Sequence, residues 1–163
     1  MRAALIREHA EIVVVGYGNP LRSDDAVGLC VAAEVARRQR PGVVALAVPQ
    51  LVPELSASIA TARLVVFVDA RRGAVGGAIA VDRIEPSETD AFSAHASSPR
   101  ALLSMTRALF DATPKAWLIS VPAVNFEIGD QLSPTARRGV EAALVAVETL
   151  ADVATRAPAL TGL

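Results

Sequence analysis

Apolar positions recur along this chain with two periods, and the two alternate. The runs Ile12-Val13-Val14-Val15 and Leu64-Val65-Val66-Phe67-Val68 are uninterrupted and rich in β-branched residues. Such runs predict strands buried on both faces, as at the centre of a parallel sheet. Val43 to Val48 and Ala116 to Val121 predict two further strands. Between the strands the spacing becomes helical. Val27, Cys30, Val31 and Val35 share one face from Ala26 to about Arg38. Arg37, Arg38 and Arg40 gather at the end of that helix, where the dipole favours positive charge, and Pro41-Gly42 stops it. Strand, helix and strand in so short a stretch form a βαβ unit with a right-handed crossover.

The second half continues the alternation. Leu55 and Ile59 mark a short helix to about Thr61, and Asp69 closes the third strand. Arg71 to Gly77 is a glycine-rich loop, and Ala78 to Val81 predicts a fourth strand. Too few residues separate it from the third for a helical crossover, so it is expected antiparallel and near an edge. Ser98-Pro99 opens a helix, the serine as cap and the proline at the first helical position. Leu102, Leu103, Thr106, Leu109 and Phe110 line one face of it. Pro122 to Gln131 reads as a long loop. Ser133-Pro134 repeats the cap signal, and Val140, Ala143, Leu144, Val147, Leu150 and Ala154 form a stripe to about Ala154. The fold class expected is α/β: three layers, helix/sheet/helix, around a five-stranded, mostly parallel twisted sheet with one antiparallel strand. Residues 1–163 read as one domain, with 1–10 and 157–163 as peripheral tails.

Composition narrows the class. Apolar residues make up 52% of the chain but aromatics only 4%, so Ala, Val and Leu build the core. No apolar run reaches the roughly 18–20 residues that span a bilayer. Met1 to Glu8 meets charge at once and lacks a secretory centre. A net charge of −1 gives no electrostatic case for nucleic acid or an anionic membrane. Cys30 is the one cysteine, which excludes an internal disulfide and a thiolate metal cluster. On the apolar stripe of its helix it reads as a buried structural thiol. A cytoplasmic protein is expected, with its oligomeric state open.

Candidate chemistry lies at strand ends. Gly16-Tyr17-Gly18-Asn19-Pro20-Leu21-Arg22-Ser23-Asp24-Asp25 follows the first strand. Gly16 and Gly18 permit backbone angles closed to other residues, and Pro20 blocks an early helix. Asp25 and Asp69 therefore stand at the carboxyl ends of two strands, and His95 lies in the polar stretch Glu85 to Ser97. If the first and third strands are neighbours, with the second outside the first, the gap above them is a topological switch point, where open α/β sheets bind ligands. Two carboxylates and an imidazole there suit Zn, Ni, Co or Fe better than Ca. Each residue also has a plainer reading. Either Asp24 or Asp25 can cap a helix. Asp69 can satisfy loop amides or pair with Arg71 or Arg72, and His95 can be a solvated surface residue, as His9 is expected to be. Gly16-Tyr17-Gly18 is also reminiscent of a dinucleotide turn, but Leu21 replaces its third glycine and two acids would repel a phosphate.

The motif G-Y-G-N-P-L-R-S-D-D before a helix, then F-V-D-A after the third strand, then F-S-A-H-A-S-S-P, resembles the nickel-iron hydrogenase maturation endopeptidases. The likeness runs in order over roughly residues 11–150. Gln50-Leu51-Val52-Pro53-Glu54-Leu55 resembles one branch of that family, and the position of Asp25 is Glu in some members. The resemblance implies that Asp25, Asp69 and His95 contact nickel, held by the enzyme or carried in by the substrate, with zinc or another divalent ion able to substitute. It assigns capping to Asp24 and metal contact to Asp25. It implies cleavage of a C-terminal extension from the hydrogenase large-subunit precursor after nickel insertion. Hydrolysis would be metal-assisted, or Asp25 or Asp69 would act as general base. The alternatives are a maturation factor that binds the nickel-loaded subunit without cutting it, and a small nucleotide- or sugar-binding α/β module.

Overall fold

The β-branched runs pair as parallel strands. In the computed structural model, which describes residues 10–88 and 97–156, β1 (Ile12–Tyr17) lies between β2 (Val43–Val48) and β3 (Leu64–Arg72). β5 (Lys115–Ala123) pairs in parallel with β3, and β4 (Ala80–Ile84) closes that edge antiparallel to β5. The order β2-β1-β3-β5-β4 places the first and third strands side by side with the second outside, as a switch point requires.

The helices cover both faces. Strand residues alternate sides, so each uninterrupted run feeds two cores. Ile12, Val14, Leu64, Val66 and Val68 meet α1 (Val27–Arg38) and α4 (Pro134–Arg156) through Val27, Val31, Ala143, Leu144 and Val147. Val13, Val15, Val65 and Phe67 meet α2 (Leu55–Ile59) and α3 (Pro99–Phe110) through Leu55, Ile59, Leu102 and Leu103. Each such side chain contributes roughly 1.5–3 kcal/mol when fully buried, so the central strands carry much of the stability. Glu34 on α1 bonds Arg37 and Arg38, and Arg38 and Arg40 reach Glu148 on α4 across the surface. Ser98 caps α3 by accepting from the Ala101 amide at 3.1 Å, and Ser133 accepts from the Ala136 amide at 3.1 Å in the first turn of α4. Among the described residues no helix is long and apolar enough to cross a membrane.

Three expectations are corrected. β3 continues past Asp69 to Arg72, because β5 stays paired with it as far as Arg72 opposite Ala123. β4 begins at Ala80 rather than Ala78 and ends at Ile84 rather than Val81. Leu109 and Phe110 are exposed, not part of the buried face of α3. The buried residues of that helix end at Thr106, so its last turn runs past the surface it packs on.

Candidate functional site

The turn after β1 is shaped by close approach. A Cβ on Gly28 would lie 2.4 Å from the Val68 carbonyl oxygen and 2.6 Å from that of Tyr17, so the start of α1 sits directly on β1 and β3. Gly16 is needed for space rather than for unusual angles, since a Cβ there would lie 1.9 Å from the Gly28 carbonyl oxygen. Gly18 needs both. Its φ is +149°, and a Cβ would lie 1.9 Å from the Asp25 carbonyl oxygen. The chain then makes one 3-10 turn, Ser23–Ala26, and passes straight into α1.

That turn separates the fates of its two acids. Asp24 is fully buried and its carboxylate accepts four hydrogen bonds. The donors are the amides of Val124 (2.9 Å), Asn125 (3.0 Å) and Ser133 (2.7 Å), and the Ser133 hydroxyl (2.7 Å). Burial alone would raise this carboxyl, but the bonds from Ser133, Val124 and Asn125 outweigh it and hold it below the ordinary value. The expected helix cap is therefore corrected: no side chain caps the 3-10 turn or α1, and Asp24 binds the segment between β5 and α4 instead. Distant backbone was a better partner than the helix's own first turn.

Asp25 is half-buried, and its Oδ2 accepts from the Asn19 amide at 2.8 Å. Asp69, on β3 next to Tyr17, is also half-buried. It accepts from the Ala70 amide at 2.8 Å and from the Tyr17 hydroxyl. Burial pushes the Asp69 carboxyl up to about 6, against the pull of Tyr17 and Ala70 and with the charge of Asp25 adding to the rise. Burial and the neighbouring Asp69 also push the Tyr17 phenol up, which keeps it a neutral donor at physiological pH. The carboxylates of Asp25 and Asp69 thus come together at the switch point, close enough to feel each other's charge. Like charges so placed, each with acceptor positions to spare, form a donor set suited to a divalent cation.

The other residues singled out in the sequence fall as follows. His95 and His9 lie outside the described residues. Among the described residues no cluster of three or more His, Cys, Asp or Glu side chains could hold a metal ion. Arg71 and Arg72 are exposed, and the Arg72 guanidinium stacks on the Phe126 ring at 4.6 Å. Cys30 is half-buried, not buried, and burial pushes its thiol up, away from the thiolate a nucleophile needs. The attachment of residues 124–133 to the Ser23–Ala26 turn went unseen in the sequence. Only Ser133 signalled it, and only as a cap.

No protein-family model matches the chain, and a search of curated proteins gives no match. Solved structures do match. The hydrogenase maturating endopeptidase HybD from E. coli is 25% identical, with a TM-score of 0.70 over 88% of this chain and 93% of that one. The [NiFe] hydrogenase maturation protease HycI from Thermococcus kodakarensis KOD1 is 23% identical, with a TM-score of 0.67 over 92% of this chain and 96% of that one. HybD from Thermococcus kodakarensis, also a [NiFe] hydrogenase maturation protease, is 22% identical, with a TM-score of 0.69 over 86% and 99%.

Proposed function

We propose, for a chain that belongs to the hydrogenase maturation protease family and is a peptidase by that membership, that it removes the C-terminal extension of a nickel-iron hydrogenase large-subunit precursor after nickel insertion. The observation that supports this most is the meeting of Asp25 and Asp69 at the switch point of a sheet shared with HybD from E. coli. The precursor's own nickel is then part of the substrate, and Asp25, Asp69 and His95 are the groups that recognise it. A divalent ion bound by these residues would polarise the scissile carbonyl, and zinc would serve in the isolated protein.

The chain's own residues account for the proton. In the metal-free protein the Asp69 carboxyl is raised to about 6 and takes up a proton more readily than an ordinary aspartate, and Asp69 is the residue to which the proton is assigned. It accepts the proton of the attacking water as the new C–O bond forms. It returns that proton to the amine as the C–N bond breaks. Tyr17 fixes the orientation of Asp69 by donating to it, and Asn19 fixes that of Asp25. The test is mass spectrometry of a nickel-loaded large-subunit precursor with and without the protein. Loss of a short C-terminal peptide is expected. An intact precursor that co-purifies with the protein would instead establish a binding factor without protease activity.

A further inference from the structure

The buried carboxylate of Asp24 belongs to the fold by its bonds and to the site by its position. It is the immediate neighbour of Asp25, yet all four of its donors lie on residues 124–133, which join β5 to α4. The attachment is reciprocal. The Asp24 amide donates to the Asn125 carbonyl at 3.0 Å, and the Ser23 amide to the Gly129 carbonyl at 2.9 Å. The Gly129 amide donates to the Leu21 carbonyl at 2.9 Å, and the Ser23 hydroxyl to the Glu127 carbonyl at 2.8 Å. Arg22 and Gly129 form an isolated parallel bridge. Two connections that leave different strands are thereby fused into one rigid rim.

That rim carries exposed apolar side chains. Leu21 is 67% exposed and Ile128 86% exposed, one on each side of the bridge. Phe126, held under Arg72, continues the same connection. Leu21 and Asp25 belong to the same turn, so large apolar groups fixed in water at this bridge are placed to meet a chain bound at Asp25. We propose that Asp24 is a positioning residue: it fixes the 124–133 connection against the Asp25 turn, so that Leu21 and Ile128 form a wall along which the apolar residues of the precursor's C-terminal segment lie. This rests on the proposed endopeptidase function. Asp24 does not touch the reacting atoms, and it acts through the wall it fixes.

The test separates binding from chemistry. Asp24→Asn keeps the size of the side chain but puts an amide donor among groups that all donate. Exchange at the Val124, Asn125 and Ser133 amides should accelerate at least about tenfold. In precursor processing KM should rise about tenfold, with kcat within about threefold of the parent. Ser23→Ala, which removes only the hydroxyl bond to Glu127, should move KM in the same direction by less, and it keeps the test open should Asp24→Asn fail to fold. Unchanged KM in both variants, with the parent active, would overturn the proposal alone, as would a loss confined to kcat. A parent that releases no peptide from the nickel-loaded precursor would overturn the proposed function, and this inference with it.

Discussion

Asp24 and Asp25 are adjacent in sequence and opposite in surroundings. Asp24 accepts four hydrogen bonds, three on Oδ2 and one on Oδ1, lies out of water, and ionises more easily than a free aspartate. Asp25 accepts one backbone amide and stands at the switch point with Asp69, which burial and the charge of Asp25 make harder to ionise. A buried carboxylate so bonded stabilises, because removing it leaves several part-buried donors without their acceptor. Asp69, raised by burial and by the charge of Asp25, costs stability when ionised, and lone pairs left unused on the two carboxylates are what a metal ion or a water molecule needs. The contrast gives a structural part to the first acid and is the ground on which chemistry is proposed for the second.

The largest effect should come from the open pair. Asp25→Ala and Asp69→Ala should each lower processing at least about 100-fold while leaving the circular dichroism spectrum unchanged. Parent-level processing in either variant would break the assignment.

The next effect is on stability and falls on Asp24. Asp24→Ala should cost about 3 kcal/mol in urea unfolding at neutral pH, since it removes the acceptor of three part-buried amides and a hydroxyl. A carboxyl held below its ordinary value stabilises above the unfolded range and loses that contribution as pH falls through its folded value. The gap between variant and parent should therefore narrow in acid.

Asp69 should behave in the opposite sense. Its carboxyl is raised to about 6, so its contribution is favourable below the unfolded value and is lost as pH rises through about 6. Asp69→Asn should then be more stable than the parent by about 1 kcal/mol above that pH, after discounting for solvent, with the gain vanishing near pH ~4. A variant that is less stable at neutral pH would remove the contrast. The smallest effect belongs to the α1–α4 surface. Glu148→Ala should shift unfolding by no more than about 1 kcal/mol, and salt should shrink the shift further.

Much of this was legible in the chain. Uninterrupted runs such as Leu64 to Val68 can be satisfied only by burial on both faces, and that forces helices onto each side of the sheet. Ser98-Pro99 and Ser133-Pro134 act within a few residues of themselves, so both helix starts were readable. The end of β3 was not, because the length of a strand depends on a partner about fifty residues away in sequence. The role of Asp24 was hidden for the same reason. Its local context reads as a helix cap, and the groups that claim it lie 100 to 109 positions further on. The carboxylates of Asp25 and Asp69 were readable as a pair only because the strand order could be guessed, and His95 stands outside the described residues.

The most direct measurement is a calorimetric titration of nickel into the parent protein and into Asp25→Ala, Asp69→Ala and Asp24→Asn. The predicted result is a single site in the parent, lost in both open-pair variants and retained within about threefold in Asp24→Asn. Equal nickel affinity in the parent, Asp25→Ala and Asp69→Ala would contradict the central claim, because the two acids that meet above β1 and β3 would then not be the metal centre.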